Sequence, residues 1–254
     1  MIDLSVFVVG NKKEINIDNN GYEIEVLHIK EHEIPKKIES RFAVITESDL
    51  SFDKNFVKNA ISIADIFDDA GVICGPIKTN STKDIAKTYE YDLGLSVAEI
   101  ADITNEQNNY PPINGSLIRK ETYNRFTYSP TITNRHATIE NKRFIKLASS
   151  SRILYSKNLT KTKYISEEDL TINNLSRYSY NLGYQHGSML FHGWQDNKKE
   201  LWFKFVESPE ILDRDMPRWL VKDSSNEESL EQIVVIKCNY QIGFFEGLTN
   251  QSLI

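Results

Sequence analysis

Phe42-Ala43-Val44-Ile45-Thr46-Glu47-Ser48-Asp49-Leu50-Ser51-Phe52 is the stretch from which the rest of the chain is read. A short apolar run, rich in β-branched residues and bounded by polar ones, reads as a buried strand. Glu47 and Asp49 follow at its C-terminal edge, where open α/β sheets place their ligand crevice. Two carboxylates at i and i+2 of an extended segment share a face. Both could then reach one hard cation, Mn²⁺ or Mg²⁺, and hold a diphosphate through it. The alternative is that the acids only end the strand and cap the next helix, since acid-x-acid is a common pattern.

From Asp53 onward, Phe56, Ala60, Ile63, Ala64 and Phe67 recur at helical spacing. Ser51 or Asp53 can cap the start of this helix, and Gly71 stands where a left-handed C-cap would. Val72-Ile73-Cys74-Gly75-Pro76-Ile77 reads as a second buried strand. Residues 111–123, Pro111-Pro112-Ile113-Asn114-Gly115-Ser116-Leu117-Ile118-Arg119-Lys120-Glu121-Thr122-Tyr123, read as loop, strand and basic helix start. In this order the pieces resemble the family 2 glycosyltransferases of GT-A fold, over roughly residues 42–190. In that family a strand ends in a metal-binding acidic motif and a helix follows. A strand ending in glycine comes next, and a Gly-containing segment leads later to an Arg-Arg/Lys stretch.

The resemblance implies an α/β fold, a mainly parallel central sheet flanked by helices, over residues 1–165. It implies transfer of a sugar from a nucleotide-diphosphate donor to an acceptor hydroxyl, assisted by Mn²⁺ or Mg²⁺ on Glu47 and Asp49. Leu4-Ser5-Val6-Phe7-Val8-Val9-Gly10-Asn11 looks like the family's opening strand, whose end lies near the nucleotide base. Gly10 and Asn11 are therefore candidate nucleotide-binding residues, together with Asn114 and Gly115, which would border the acceptor. Residues 22–29 read as a second strand and 34–41 as a short helix or connection. Residues 11–20 form a polar loop without the crossover helix expected between parallel neighbours, which leaves a hairpin open as the alternative.

Thr138-Ile139-Glu140-Asn141-Lys142-Arg143 is similar to the family's acidic helix start, followed by the strand Arg152-Ile153-Leu154-Tyr155. The resemblance makes Glu140 the candidate catalytic base that takes the acceptor's proton in inverting members. A plain helix N-terminus would favour an acid there as well. The family often places a further metal-ligating histidine after that strand, and residues 158–165 contain none.

Residues 166–254 read as a helical C-terminal region. Asn181-Leu182-Gly183-Tyr184-Gln185-His186-Gly187 repeats as Gln241-Ile242-Gly243-Phe244-Phe245-Glu246-Gly247, and glycines four apart let helix backbones approach closely. The spacing puts Leu175, Tyr178, Leu182, Gln185 and Met189 on one helical face. On the other helix it gathers Leu230, Ile233, Val234, Lys237 and Cys238. Such a pair would pack on the core or form a homo-oligomer contact. His186 and His192 read as structural, and the aromatic group Trp194, Trp202, Phe203, Phe205 and Trp219 as a buried bridge or a sugar-stacking surface.

At 254 residues the chain can bury a sizeable core. Its net charge of −6 argues against a general nucleic-acid binder, which needs a basic surface. Cys74 and Cys238 sit among apolar residues and read as buried and reduced. No run approaches the about 20 apolar residues of a spanning helix, and no signal peptide is visible, so the sequence reads as soluble and cytoplasmic. Two alternatives to transfer stand beside it: a GT-A-like domain serving as a structural or assembly protein, as in a phage-like particle, and a nucleotide- or sugar-binding module without turnover.

Overall fold

The computed structural model describes residues 2–10, 15–30, 33–96, 99–104, 114–125, 151–193 and 227–249. Among them the chain begins β1 (Leu4–Val9), β2 (Ile24–Ile29), β3 (Phe42–Glu47), β4 (Leu50–Phe52), α1 (Phe56–Ile66), β5 (Ala70–Cys74) and β6 (Ile77–Thr79). It continues through a 3₁₀ helix (Asp84–Tyr89), β7 (Ile100–Asp102), β8 (Leu117–Arg119), α2 (Lys120–Arg125) and β9 (Arg152–Ser156). A second 3₁₀ turn (Lys157–Leu159), β10 (Lys161–Lys163), α3 (Ile172–Gly193) and α4 (Glu227–Thr249) complete it.

Seven strands form one sheet in the order β2-β1-β3-β8-β5-β9-β7. The pairs β1/β2, β1/β3 and β5/β9 are parallel, while β8 and β7 run antiparallel to their neighbours. The expected mainly parallel, helix-flanked α/β sheet is the observed one. Phe42, Ala43, Val44, Ile45 and Thr46 of β3 are all buried, as befits a strand covered on both faces. The hairpin alternative is corrected: β1 and β2 are parallel, with Leu4 opposite Ile24. β2 is the sheet edge, and its Val26 and Leu27 are both exposed.

Helix α1 buries Phe56, Val57, Ala60, Ile61, Ile63 and Ala64, the face read from the sequence. Its ends differ from expectation. Asn55 is the N-cap and makes no side-chain cap bond. Gly71 lies inside β5 rather than at the C-cap. The guanidinium of Arg119 closes the C-terminus instead, donating to the carbonyls of Ala64 (2.5 Å), Phe67 (3.2 Å) and Ala70 (3.0 Å). These carbonyls lack helical partners, and a cation meets the negative end of the helix dipole. The Arg-Lys stretch is thus structural here, with Lys120 paired to Glu39 at 3.0 Å.

Residues 72–77 are two strands, not one. The chain leaves the large sheet at Gly75-Pro76 and enters a second sheet of order β4-β10-β6. Proline has no N–H to offer a central ladder, but its carbonyl is used: Lys161 N donates to Pro76 O at 3.0 Å. Residues 34–41, the connection into β3, carry no helix, and α2 anchors them. Asn124 bonds both N and O of Ile38, and the Tyr123 hydroxyl donates to Pro35 O.

The C-terminal helices form a pair, and the repeat explains how. A Cβ on Gly183 would collide with the Tyr240 carbonyl, and one on Gly243 with the Tyr180 carbonyl. The two copies of the motif therefore cross at their glycines, backbone against backbone. The Tyr180 hydroxyl donates to the buried Glu246 carboxylate. The α4 face read from the sequence is corrected: Ile236, Tyr240, Gly243, Phe244 and Gly247 are buried, while Val234 and Cys238 are exposed. The close glycine crossing rotates the helix away from the face that side-chain hydrophobicity alone would choose. Tyr178 of α3 packs its ring on Tyr89 of the core at 4.2 Å between centroids. No helix among the described residues is long and apolar enough to cross a membrane.

Candidate functional site

Strand order reverses around β1: the chain passes to β2 on one side and then to β3 on the other. Such a switch opens a crevice at the carboxyl ends of the strands. Val9 is opposite Glu47 in the β1/β3 ladder, and Ser48 N continues it to Val9 O at 3.2 Å. Gly10 lies against the Ser48 side chain. β8 runs antiparallel to β3, so its approach segment arrives at the same end. Gly115 N donates to Ile45 O at 2.8 Å.

Asn114 and Glu47 bond reciprocally. Glu47 N donates to Asn114 Oδ1 at 3.1 Å, and Asn114 Nδ2 donates to Glu47 Oε2 at 3.0 Å. Gly115 has φ +69°, and a Cβ there would lie 2.7 Å from both Leu50 and Lys161. Only glycine meets both demands. Gly10, Glu47, Asp49, Asn114 and Gly115 are therefore gathered at one end of the sheet. Asn11, Glu140 with its expected helix, and the aromatic group of residues 194–219 lie outside the described residues.

The residues not foreseen come from β10. Lys161 and Lys163 are i and i+2 on this strand and share a face. Lys161 is fully buried and donates to Asn114 O at 3.1 Å. Lys163 lies 2.7 Å from Glu47 Oε2 and 3.1 Å from Asp49 Oδ2, bridging the acidic pair. The small sheet sets this up: Lys163 pairs with Leu50, and Tyr164 N donates to Asp49 O at 2.8 Å. The sequence signal was the alternation Lys161-Thr162-Lys163 itself, which marks a strand face once its pairing to β4 is known.

Burial works against the Lys163 ammonium, but the carboxylates of Glu47 and Asp49 more than offset it, and its pKa lies above the ordinary lysine value. Burial raises the Asp49 carboxyl above the usual range, with Lys163 opposing and Glu47 reinforcing the rise. Asp49 Oδ1 is buried and accepts no hydrogen bond from the described residues. Tyr89 and Tyr178 border this group. Burial, followed by the Asp169 carboxylate, pushes the Tyr89 phenol up to about 12.

The expected divalent cation does not fit these residues as they stand. One oxygen of each carboxylate already faces the ammonium. A divalent ion ~4 Å from that ammonium would be repelled by about 8 kcal/mol at an effective dielectric of ~20. Among the described residues no third His, Cys, Asp or Glu joins the pair, whereas Mg²⁺ and its like seek about six oxygen ligands.

No family model matches the sequence, and no curated protein matches it. Among solved structures the chain is similar to residues 1–349 of S. aureus TarS, at 12% identity and TM-score 0.40, spanning 100% of this chain and 93% of that one. The same fragment in complex with UDP-GlcNAc gives 13% identity and TM-score 0.42, again over 100% and 93% of the two chains. With UDP the values are 12% and 0.41 over the same shares. Likeness at this level carries no argument about ligand or activity.

Proposed function

We propose that the crevice at the ends of β1 and β3 binds a nucleoside-diphosphate sugar and that the chain transfers the sugar to an acceptor hydroxyl. The observation that carries this reading is convergence. Three stretches singled out for one purpose, ending at Gly10, Glu47–Asp49 and Asn114–Gly115, meet at the topological switch point of the sheet. In transfer, the bond from the anomeric carbon to the diphosphate breaks as the acceptor oxygen bonds to that carbon. The acceptor's proton passes to a carboxylate, for which Glu140 is the candidate. Asn114 fixes Glu47, and the unpartnered Asp49 Oδ1 offers an acceptor to a ligand hydroxyl.

Calorimetric titration with a panel of uridine and guanosine diphosphates and their sugars tests binding. The parent is expected to bind one of them, and Asp49→Asn to lose that binding while keeping its fold. Equal binding by Asp49→Asn would make the acidic pair a strand terminus only. A transfer assay on Glu140→Gln tests the base, with an expected loss of ~10²–10⁴-fold in rate and little change in donor affinity. The engagement of both acids by Lys163 favours a second reading, a binding or assembly domain without transfer. Donor binding without turnover in the parent, over a broad acceptor set, would select it.

A further inference from the structure

We infer that the ammonium of Lys163 serves as the cation of this site in place of a divalent metal. The nucleotide part of this inference rests on the proposed function; the metal part does not. The geometry carries it. Lys163 is only 15% exposed and stands 2.7 and 3.1 Å from the two carboxylates that a metal would bridge. Its position is built rather than incidental. β10 is held between β4 and β6 by ladders on both sides, and the Glu47 Oε2 that accepts from Lys163 also accepts from Asn114 Nδ2, while Glu47 N donates back to Asn114 Oδ1.

An ammonium offers three N–H donors and no acceptor, so it cannot ligate a metal. Two donors are taken by Glu47 and Asp49, and the third, which meets no acceptor among the described residues, would serve a phosphate oxygen. One positive charge replaces two, and diphosphate binding is correspondingly weak. The titrations therefore extend to nucleotide at ~1 mM. No bond to metal forms or breaks in this scheme, and Lys163 stays protonated throughout.

The experiment has two arms. In the first, Mn²⁺ is titrated into the parent and into Lys163→His, without nucleotide, and the free-ion signal is followed by electron paramagnetic resonance. The parent is expected to leave the signal of free Mn²⁺ unchanged. Lys163→His, which replaces the ammonium by a ligand beside the same two acids, is expected to quench it. Quenching by the parent that disappears in Asp49→Asn would overturn the inference, whether or not Lys163→His folds.

In the second arm, nucleoside-diphosphate binding by the parent is compared in chelator and in Mn²⁺. Equal affinity is expected, and a loss of ~10-fold or more in chelator would overturn the inference. Absence of nucleotide binding under both conditions would overturn the proposed function. The Mn²⁺ arm would still decide the role of Lys163.

Discussion

Lys163 closes on Glu47 at 2.7 Å across 116 residues of chain. The contact links the small sheet to the end of β3, and it couples stability to the site. Removing Lys163 leaves two carboxylates facing each other in partly buried surroundings. Lys163→Met should cost ~1–3 kcal/mol, below the full buried-pair penalty because both acids keep some access to water. In a double-mutant cycle with Glu47→Gln, urea denaturation should give a coupling of ~0.5–2 kcal/mol. Additivity within ~0.3 kcal/mol would mean that the bridge contributes nothing.

Arg119 is expected to act on the fold and not on a ligand. Its guanidinium serves three carbonyls at the end of α1 and the start of β5. Arg119→Met should destabilise the chain by ~2–3 kcal/mol, since hydrogen bonds to charged groups are among the stronger ones. Nucleotide affinity measured on the folded fraction should not change. A selective loss of affinity at unchanged stability would instead place Arg119 at the site.

The α3/α4 crossing depends on two missing Cβ atoms. Gly183→Ala and Gly243→Ala each put a methyl group against a backbone carbonyl of the partner helix. Each should lower unfolding free energy by ~1–3 kcal/mol, the usual range for overpacking. Val234→Ala, at a position 52% exposed, should stay within ~0.5 kcal/mol. Equal effects at all three positions would contradict the close crossing.

The cysteines should report separately. Cys74 is buried, and burial pushes its thiol up to about 12, with Lys161 opposing the rise. Cys238 is exposed. A thiol-specific reagent at neutral pH should label Cys238 promptly and Cys74 only after unfolding. Rapid labelling of Cys74 in the folded chain would show that β5 opens.

How far this could be read from sequence follows the range of the interactions. The strand–acid–helix order from Phe42 to Phe67 was legible because periodicity and β-branching are local. The gathering of Asn114 with Glu47 was legible only through the order of motifs that the resemblance supplied. Three things were hidden for one reason: they depend on partners far along the chain. Arg119 displaced Gly71 as the helix stop from 52 residues beyond α1's last contact at Phe67. The α4 face is set by carbonyls of α3, which a hydrophobic pattern cannot register. Lys163 reaches the acids from a three-residue strand whose pairing to β4, 113 residues away at Leu50, no local pattern in residues 158–165 announces.

Amide hydrogen exchange of the parent, with and without the tightest-binding nucleoside-diphosphate sugar and in the presence of chelator, tests the central claim most directly. Exchange should slow at Gly10, at 47–49 and at 114–115 together, and at 161–163, with α4 unchanged. Protection confined to other segments, or none at saturating ligand, would contradict a nucleotide site at the ends of β1 and β3.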